Sequence, residues 1–312
     1  MVNLLFWIGI WAASLFLIIK SASYAIEAII KYARKTGLSN YFVGFMIVSI
    51  GTTLPEIFTA IIASLEGSVE LILGDAIGAS VVDITLVLGF VAIVSKKLKI
   101  SGKSVNLSIP RVMAVLFLPV ILALDGAFSR NDGIFMILAF VAYYGLHFKE
   151  ELGKQKIKKT VSFRKLWKHG IVFGINIALL IFGSQLLVLS SKNIAIILNM
   201  PMYIFGALIL SICTTSPEFF VELKAIKNKA SPIAIGDIFG SVICNTSLVL
   251  GIAFVLAPVT IDKFFFFPTM AFMIIVVLLG LLFIQRGEIN WKEGILLLSI
   301  YLVFILLQIL LL

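Results

Sequence analysis

The chain writes one segment twice. Residues 44–89 contain GFMIVSIGTTLPEIF and LGDAIGASVVDITLVLG, and residues 206–251 contain GALILSICTTSPEFF and IGDIFGSVICNTSLVLG. The copies lie 162 residues apart without a gap, and 17 of their 46 positions are identical, enough to require two copies of one architecture. Both carry T-T-x-P-E, then G-D-x-x-G, then L-V-L-G. Both also set carboxylates inside apolar stretches, where a charge is costly and commonly functional.

Those stretches dominate the chain. It is 61% hydrophobic and 13% charged, with a mean hydropathy of +1.14, well beyond a soluble domain. The expectation is an all-α integral membrane protein whose main partner is the lipid bilayer. The first apolar run follows no basic segment and ends at Lys20, which reads as a retained helix rather than a cleaved signal. Cys213 and Cys244 both fall in the second repeat and read as small packing residues rather than a disulfide. The net charge of +9 reports membrane orientation, and nothing points to nucleic acid.

About ten spans fit the apolar runs, at 4–30, 41–64, 71–94, 110–127 and 133–148, then 170–198, 203–226, 232–258, 264–285 and 291–311. The first and sixth are long and predict tilted or overshooting helices. With the N-terminus outside, the inside loops collect Lys31, Arg34, Lys35, Lys96, Lys97, Lys99, Lys103, Arg111, the basic run Lys149–Lys168, Lys224, Lys227, Lys229, Arg286 and Lys292. The outside keeps Arg130, Lys192 and Lys263. That bias predicts a multi-pass plasma-membrane protein with both termini outside. Residues 1–148 form a first five-helix half, 149–169 a basic cytoplasmic linker, and 170–312 a second half. Five spans is an odd number, so the halves enter the membrane in opposite senses. Two inverted five-helix repeats are the plan of many secondary transporters, with the substrate at the midplane where the halves meet.

The repeated polar residues suit a hard cation. Pro55 and Pro217 have no N–H to give the carbonyls of Gly51 and Cys213, and they loosen those of Thr52 and Thr214. Such broken backbone is tolerated at membrane depth where it lines a cavity. Free carbonyls, the hydroxyls of Thr52, Thr53, Thr214 and Thr215, and the carboxylates of Glu56 and Glu218 make an all-oxygen set of the kind that holds Na+ or Ca2+. Two glutamates balance one Ca2+. The two histidines, His147 and His169, lie at or near the linker, and a soft-metal site is not expected. A second cluster follows: Asp75, Ala79 and Asp83 share one helical stripe, as do Asp237, Ser241 and Asn245, beside glycines that permit close helix approach.

These motifs resemble the calcium/cation antiporter superfamily, specifically the short prokaryotic sodium/calcium exchangers, whose halves each read G-T-S-L-P-E and then G-N-x-x-G-S-N-x-x-[ND]. The resemblance implies Glu56 and Glu218 as the central Ca2+ ligands, with the carbonyls of Thr52 and Thr214 completing the cage. It implies that Thr53, Thr215 and Ser241 serve Na+, that Ser49 and Ser211 offer backbone carbonyls to Na+, and that Asp83 and Asn245 flank the centre. It also implies that the first and sixth helices slide across a rigid core.

Four departures bear on the coupling ion. Ala79 stands where the family has serine, Asp83 and Asn245 are exchanged between halves, G-D replaces G-N in both copies, and Cys213-Thr214-Thr215 replaces G-T-S. Glu56, Glu218, Asp75, Asp237 and Asp83 cannot all be ionised around one divalent ion, so some hold protons or further cations. The expected function is Ca2+/Na+ antiport by alternating access, with Ca2+/H+ or another cation/H+ exchange through the same site as the alternative. No cofactor and no enzymatic reaction are expected, and protein partners are not legible. An intramembrane aspartyl protease would use paired aspartates as acid and base. Here Asp75 and Asp237 sit in I-L-G-D and A-I-G-D, lacking a glycine two residues before the aspartate, and T-T-x-P-E has no role in that chemistry. Discrete paired sites also favour alternating access over a continuous pore.

Overall fold

The computed structural model describes residues 2–33, 40–99, 108–154, 163–228 and 230–312. Residues 155–162 of the linker, with Arg34, Lys35, Lys103 and Lys229, lie outside the described residues, as do the side chains of Lys31, Lys99, Lys154, Arg164, Lys165, Lys168 and His169. The longer helices are α1 (Val2–Ala33), α2 (Leu54–Leu65), α3 (Val69–Val82), α4 (Ile109–Leu122), α5 (Arg130–Lys154), α6 (Phe163–Ile197), α7 (Ser216–Lys227), α8 (Ser231–Ile243), α9 (Lys263–Gln285) and α10 (Trp291–Leu310). Four short strands, β1 (Lys97–Lys99), β2 (Ala127–Phe128), β3 (Val259–Thr260) and β4 (Glu288–Asn290), sit between helices.

Each expected span falls on helix, but not each is long and apolar enough to cross a bilayer. Among the described residues seven helices pass, and an eighth span is the bent pair Val43–Thr52 and Leu54–Leu65. The segments at 110–127 and 133–148 do not. Helix α4 has 14 residues, about 21 Å at 1.5 Å per residue, short of a ~30 Å core. Helix α5 carries Tyr143, Tyr144 and His147 near its end, which dilute its apolar run.

The repeat is written into the contacts. A Cβ on Gly74 would strike the carbonyl of Tyr203, and one on Gly236 the carbonyl of Tyr41. Adding 162 to Gly74 gives Gly236, and adding it to Tyr41 gives Tyr203. Likewise Gly44 abuts Ile233 and Gly206 abuts Leu71. The strands obey the same rule: Lys97 pairs with Asn290 and Phe128 with Val259, so β1–β4 and β2–β3 are the same pairing seen from each copy. Reciprocal contacts of this kind require a pseudo-two-fold axis between the copies. Helices α3 and α8 run beside that axis. The apolar spans containing them are 78% and 83% buried, the most enclosed of the seven long apolar spans among the described residues.

Local sequence explains the ends. Pro55 and Pro217 take the second position of α2 and α7, where a missing N–H costs little. Asn290 caps α10 in a capping box with Glu293. Helices α1 and α6 lie alongside each other at the edge of the bundle, pinned by a Trp11 Nε1 to Ser191 Oγ hydrogen bond of 3.1 Å.

The helix approach makes a prediction. Gly74→Ala and Gly236→Ala each push a methyl into backbone, so each should lower the thermal unfolding midpoint of the detergent-solubilised protein, by an overpacking cost of about 1–3 kcal/mol. Gly145→Ala, which meets nothing within 4 Å, should leave the midpoint in place.

Candidate cation-binding site

Both copies break their helix at the same place. Thr53 (φ −76°, ψ 2°) separates Ser49–Thr52 from α2, and Thr215 (φ −75°, ψ −2°) separates Ser211–Thr214 from α7. Proline is therefore inside a restarted helix rather than at a kink within a continuous one. The first break bends the path by 40°, while the second leaves Met202–Lys227 as one apolar span. A widened π-helical turn precedes each break and another follows each glycine-rich helix: Val43–Val48 and Asp83–Val87 in one copy, Gly206–Leu210 and Cys244–Val249 in the other. Such turns re-aim side chains and recur at functional sites.

The breaks carry the glutamates inward. Glu56 and Glu218 are each 1% exposed. The Glu218 carboxylate lies within electrostatic reach of Glu56, Asp83 and Asp237, and that of Glu56 reaches Asp75 and Asp83. All five carboxylates singled out from the sequence thus share one buried cluster. Ser49, Thr52, Thr53, Ser211, Thr214, Thr215, Ser241 and Asn245 are buried with them.

Hydroxyls hold part of the cluster in place. Thr52 Oγ1 donates to Asp237 Oδ1 at 3.0 Å, and Thr214 Oγ1 donates to Asp75 Oδ1 at 3.0 Å. These are one bond seen from the two copies, and each ties a broken helix of one copy to the glycine-rich helix of the other. The unusual aspartates therefore act first as acceptors across the copy interface. The carbonyl of Ser49 accepts Thr53 Oγ1 at 2.6 Å, and that of Ser211 accepts Thr215 Oγ1 at 2.7 Å, so both carbonyls expected to face a cation are here engaged by hydroxyls.

Other oxygens are left over. Both oxygens of Glu56 and of Asp83, Oε2 of Glu218, Oδ2 of Asp75 and Asp237, and Oδ1 of Asn245 are buried without a hydrogen-bond partner. Among the described residues no lysine or arginine is buried beside them. Oxygens of this kind, drawn from carboxylate, amide and hydroxyl, are the chemistry of a hard-cation site. No three His, Cys, Asp or Glu side chains among the described residues converge into a metal-binding group on their own, so a cation here would also draw on hydroxyl or carbonyl oxygens.

The two sides of the cluster differ. Ser241 Oγ lies 3.4 Å from Thr52 Oγ1 and 3.5 Å from Thr53 Oγ1, whereas Ala79 gives Thr214 and Thr215 no such neighbour. Tyr144 OH meets Ser49 Oγ at 3.1 Å and donates to the carbonyls of Phe45 and Gly240, each at 3.2 Å. Its counterpart by the 162-residue offset is Leu306. Cys244, expected only to pack, lies against Thr53 and within reach of Glu56 and Glu218, and both cysteines are free.

Two residues escaped the sequence reading. Glu222 is fully buried, and its carboxylate reaches Asp83 and Asp237. Its signal was available: it follows Glu218 by four residues on one helical face, within Phe219-Phe220-Val221. Comparison of the copies hid it, because its counterpart is Ala60. Tyr144 had no signal, because only folding brings α5 against the broken helix.

Buried paired carboxylates and an all-oxygen donor set in a helical membrane protein define a membrane cation antiporter. The family model described as sodium/calcium exchanger protein matches residues 6–149 and again 168–310. The chain belongs to that family. An uncharacterized membrane protein of Methanocaldococcus jannaschii is 27% identical over 96% of both chains. The sodium/calcium exchanger MaX1 of Methanosarcina acetivorans is 25% identical, over 92% of this chain and 94% of its own. A solved structure of the sodium-calcium exchanger NCX_Mj, soaked with Na+ and Sr2+, superposes with a TM-score of 0.71 at 25% identity and covers 98% of each chain.

Thr52→Val and Thr214→Val each strip a buried carboxylate of its hydroxyl donor. Each should cost about 1–3 kcal/mol, read as a lower unfolding midpoint in detergent, and Thr52→Ser should recover most of it.

Proposed function

We propose that this protein exchanges Ca2+ against Na+ by alternating access. The observation that carries the reading is the pair Glu56 and Glu218, buried at matched helix breaks and within electrostatic reach of each other. Two carboxylates neutralise one divalent ion, which matters in an interior that solvates charge poorly. The ligand set is completed by Thr52, Thr53, Thr214, Thr215, Ser49, Ser211, Ser241, Asp83, Asn245, Asp75 and Asp237. For the Ser49 and Ser211 carbonyls to serve Na+, the threonine hydroxyls must rotate away. Residues 1–148 and 170–312 form inverted five-helix halves joined by the basic linker 149–169. The reciprocal glycine and strand contacts support that division, as do the two matches of one family model.

Both termini lie outside a plasma membrane. In support, β1–β4 joins two loops rich in basic residues at one end of the molecule, where Lys97 pairs with Glu288 at 2.8 Å. The β2–β3 pair marks the other end, where Lys263 donates to the carbonyl of Leu124.

A second reading keeps the site and changes the driver to protons. It is favoured by the number of buried carboxylates, which exceeds what one Ca2+ balances. Calcium uptake by vesicles reconstituted with the full chain separates the two. Uptake driven by a Na+ gradient and not by a pH gradient is expected; the reverse pattern sinks the sodium reading. Glu56→Ala and Glu218→Ala should each abolish uptake, because removing one partner of a buried charge set costs about 3–5 kcal/mol, or more than a hundredfold in affinity. Near-normal uptake in either variant would remove the glutamates from the site. Ala79→Ser should be tolerated and should strengthen the Na+ dependence.

A further inference from the structure

Within the buried cluster the repeat breaks its charge symmetry at two positions. The 162-residue offset relates Asp83 to Asn245 and Glu222 to Ala60. Both differences remove a carboxylate from the same side. Helix α7, which carries Glu222, packs on the Asp83–Val87 turn, and the carboxylates of Glu222 and Asp83 interact. Helix α2, which carries Ala60, packs on the Cys244–Val249 turn that begins beside Asn245. One side of the pseudo-two-fold thus holds two buried carboxylates within electrostatic reach of each other, and the related side holds a methyl and an amide.

The acidic side is unsatisfied. Glu222 is 0% exposed and Asp83 1%, and all four of their carboxylate oxygens lack a hydrogen-bond partner. Among the described residues, the charged groups found to act on them are Asp237, Glu56 and Glu218, all of the same sign. Two bare carboxylates that repel each other in such surroundings are unstable as they stand. A small hard cation held by them lowers both the repulsion and the desolvation penalty. Glu56 and Glu218 already balance the divalent ion, which leaves this further charge to the monovalent one.

We propose that Asp83 and Glu222 form a second cation position, set to one side of the Glu56–Glu218 centre and absent from the other, and that it takes Na+. The assignment rests on the antiporter reading for its role in transport, while its existence is a matter of binding alone. In the exchange cycle it makes the two otherwise related sides of the site unequal toward Na+.

The test uses the full chain purified in detergent, with Na+ alone as the probe and the thermal unfolding midpoint as the readout. Glu222→Gln should raise the Na+ concentration for half-maximal stabilisation at least about tenfold, while the Ca2+ response of the same sample moves by less than about threefold. Asp83→Asn, which also belongs to the proposed ligand set and is therefore read for Na+ alone, should weaken the Na+ response by a similar factor, and the double variant should add little, because both residues serve one ion. If the single changes fold poorly, Asp83→Asn/Glu222→Ala combined with Ala60→Glu/Asn245→Asp moves the pair to the related side and should restore the Na+ response. A wild-type Na+ titration in Glu222→Gln would overturn the proposal. So would independent, multiplying shifts, equal losses toward Na+ and Ca2+, or no restoration on moving the pair. Absence of gradient-driven Ca2+ uptake by the wild-type protein would instead overturn the transport reading and leave this binding result standing.

Discussion

Everything in this structure answers to charge buried where water does not reach. Glu56, Asp75, Asp83, Glu218, Glu222 and Asp237 occupy one interior cluster, and no lysine or arginine among the described residues is buried with them. Such a cluster is tolerable only if something positive enters it, which is the physical condition for a cation carrier. The surrounding fold supplies the means. Helices broken at Thr53 and Thr215 turn the glutamates inward, and widened turns at Asp83 and Cys244 open the register beside them.

The cluster needs the two copies to touch. Bare glycine backbone lets α3 meet the segment around Tyr203 and Ala207, and lets α8 meet the segment around Tyr41 and Phe45. The Thr52–Asp237 and Thr214–Asp75 bonds then lock the same interface from within. Packing and chemistry are carried by neighbouring residues of one motif: in G-D-x-x-G the glycines set the distance and the aspartate takes the bond. Helices α1 and α6 lie outside this tightly packed centre, against each other and less enclosed. That division into a tightly packed middle and a less enclosed peripheral pair is what the proposed alternating access would use.

Under the proposed function, symmetry accounts for the binding of a cation and its failures for the selectivity. Ser241 adds a hydroxyl beside Thr52 and Thr53 where Ala79 adds none, and Tyr144, whose counterpart is Leu306, ties Phe45 and Ser49 of the first copy to Gly240 of the second. The largest failure is electrostatic, with Asp83 and Glu222 on one side and Asn245 and Ala60 on the other. A site that was fully two-fold would treat its two sides alike, and an exchanger of unlike ions gains from treating them differently.

Much of this was legible in the chain. The ungapped repeat revealed two related halves, the apolar runs fell on helix throughout, and the paired glutamates and threonines were named as one buried site. The count of bilayer-crossing helices was not legible, because α4 is too short and α5 too polar at its end for composition to settle their path. Glu222 was missed because the comparison of copies searched for what they share, and this residue is what they do not. Sequence by itself determined that the chain is a duplicated membrane protein with carboxylates in its apolar core, since periodicity, hydropathy and repetition are local or one-dimensional properties. Only the tertiary structure decided that each copy's threonine bonds the other copy's aspartate, that Tyr144 joins the site, and that Asp83 and Glu222 come within electrostatic reach of each other. Those pairings span 185, 139, 95 and 139 residues of chain, and no local rule relates positions so far apart until packing brings them together.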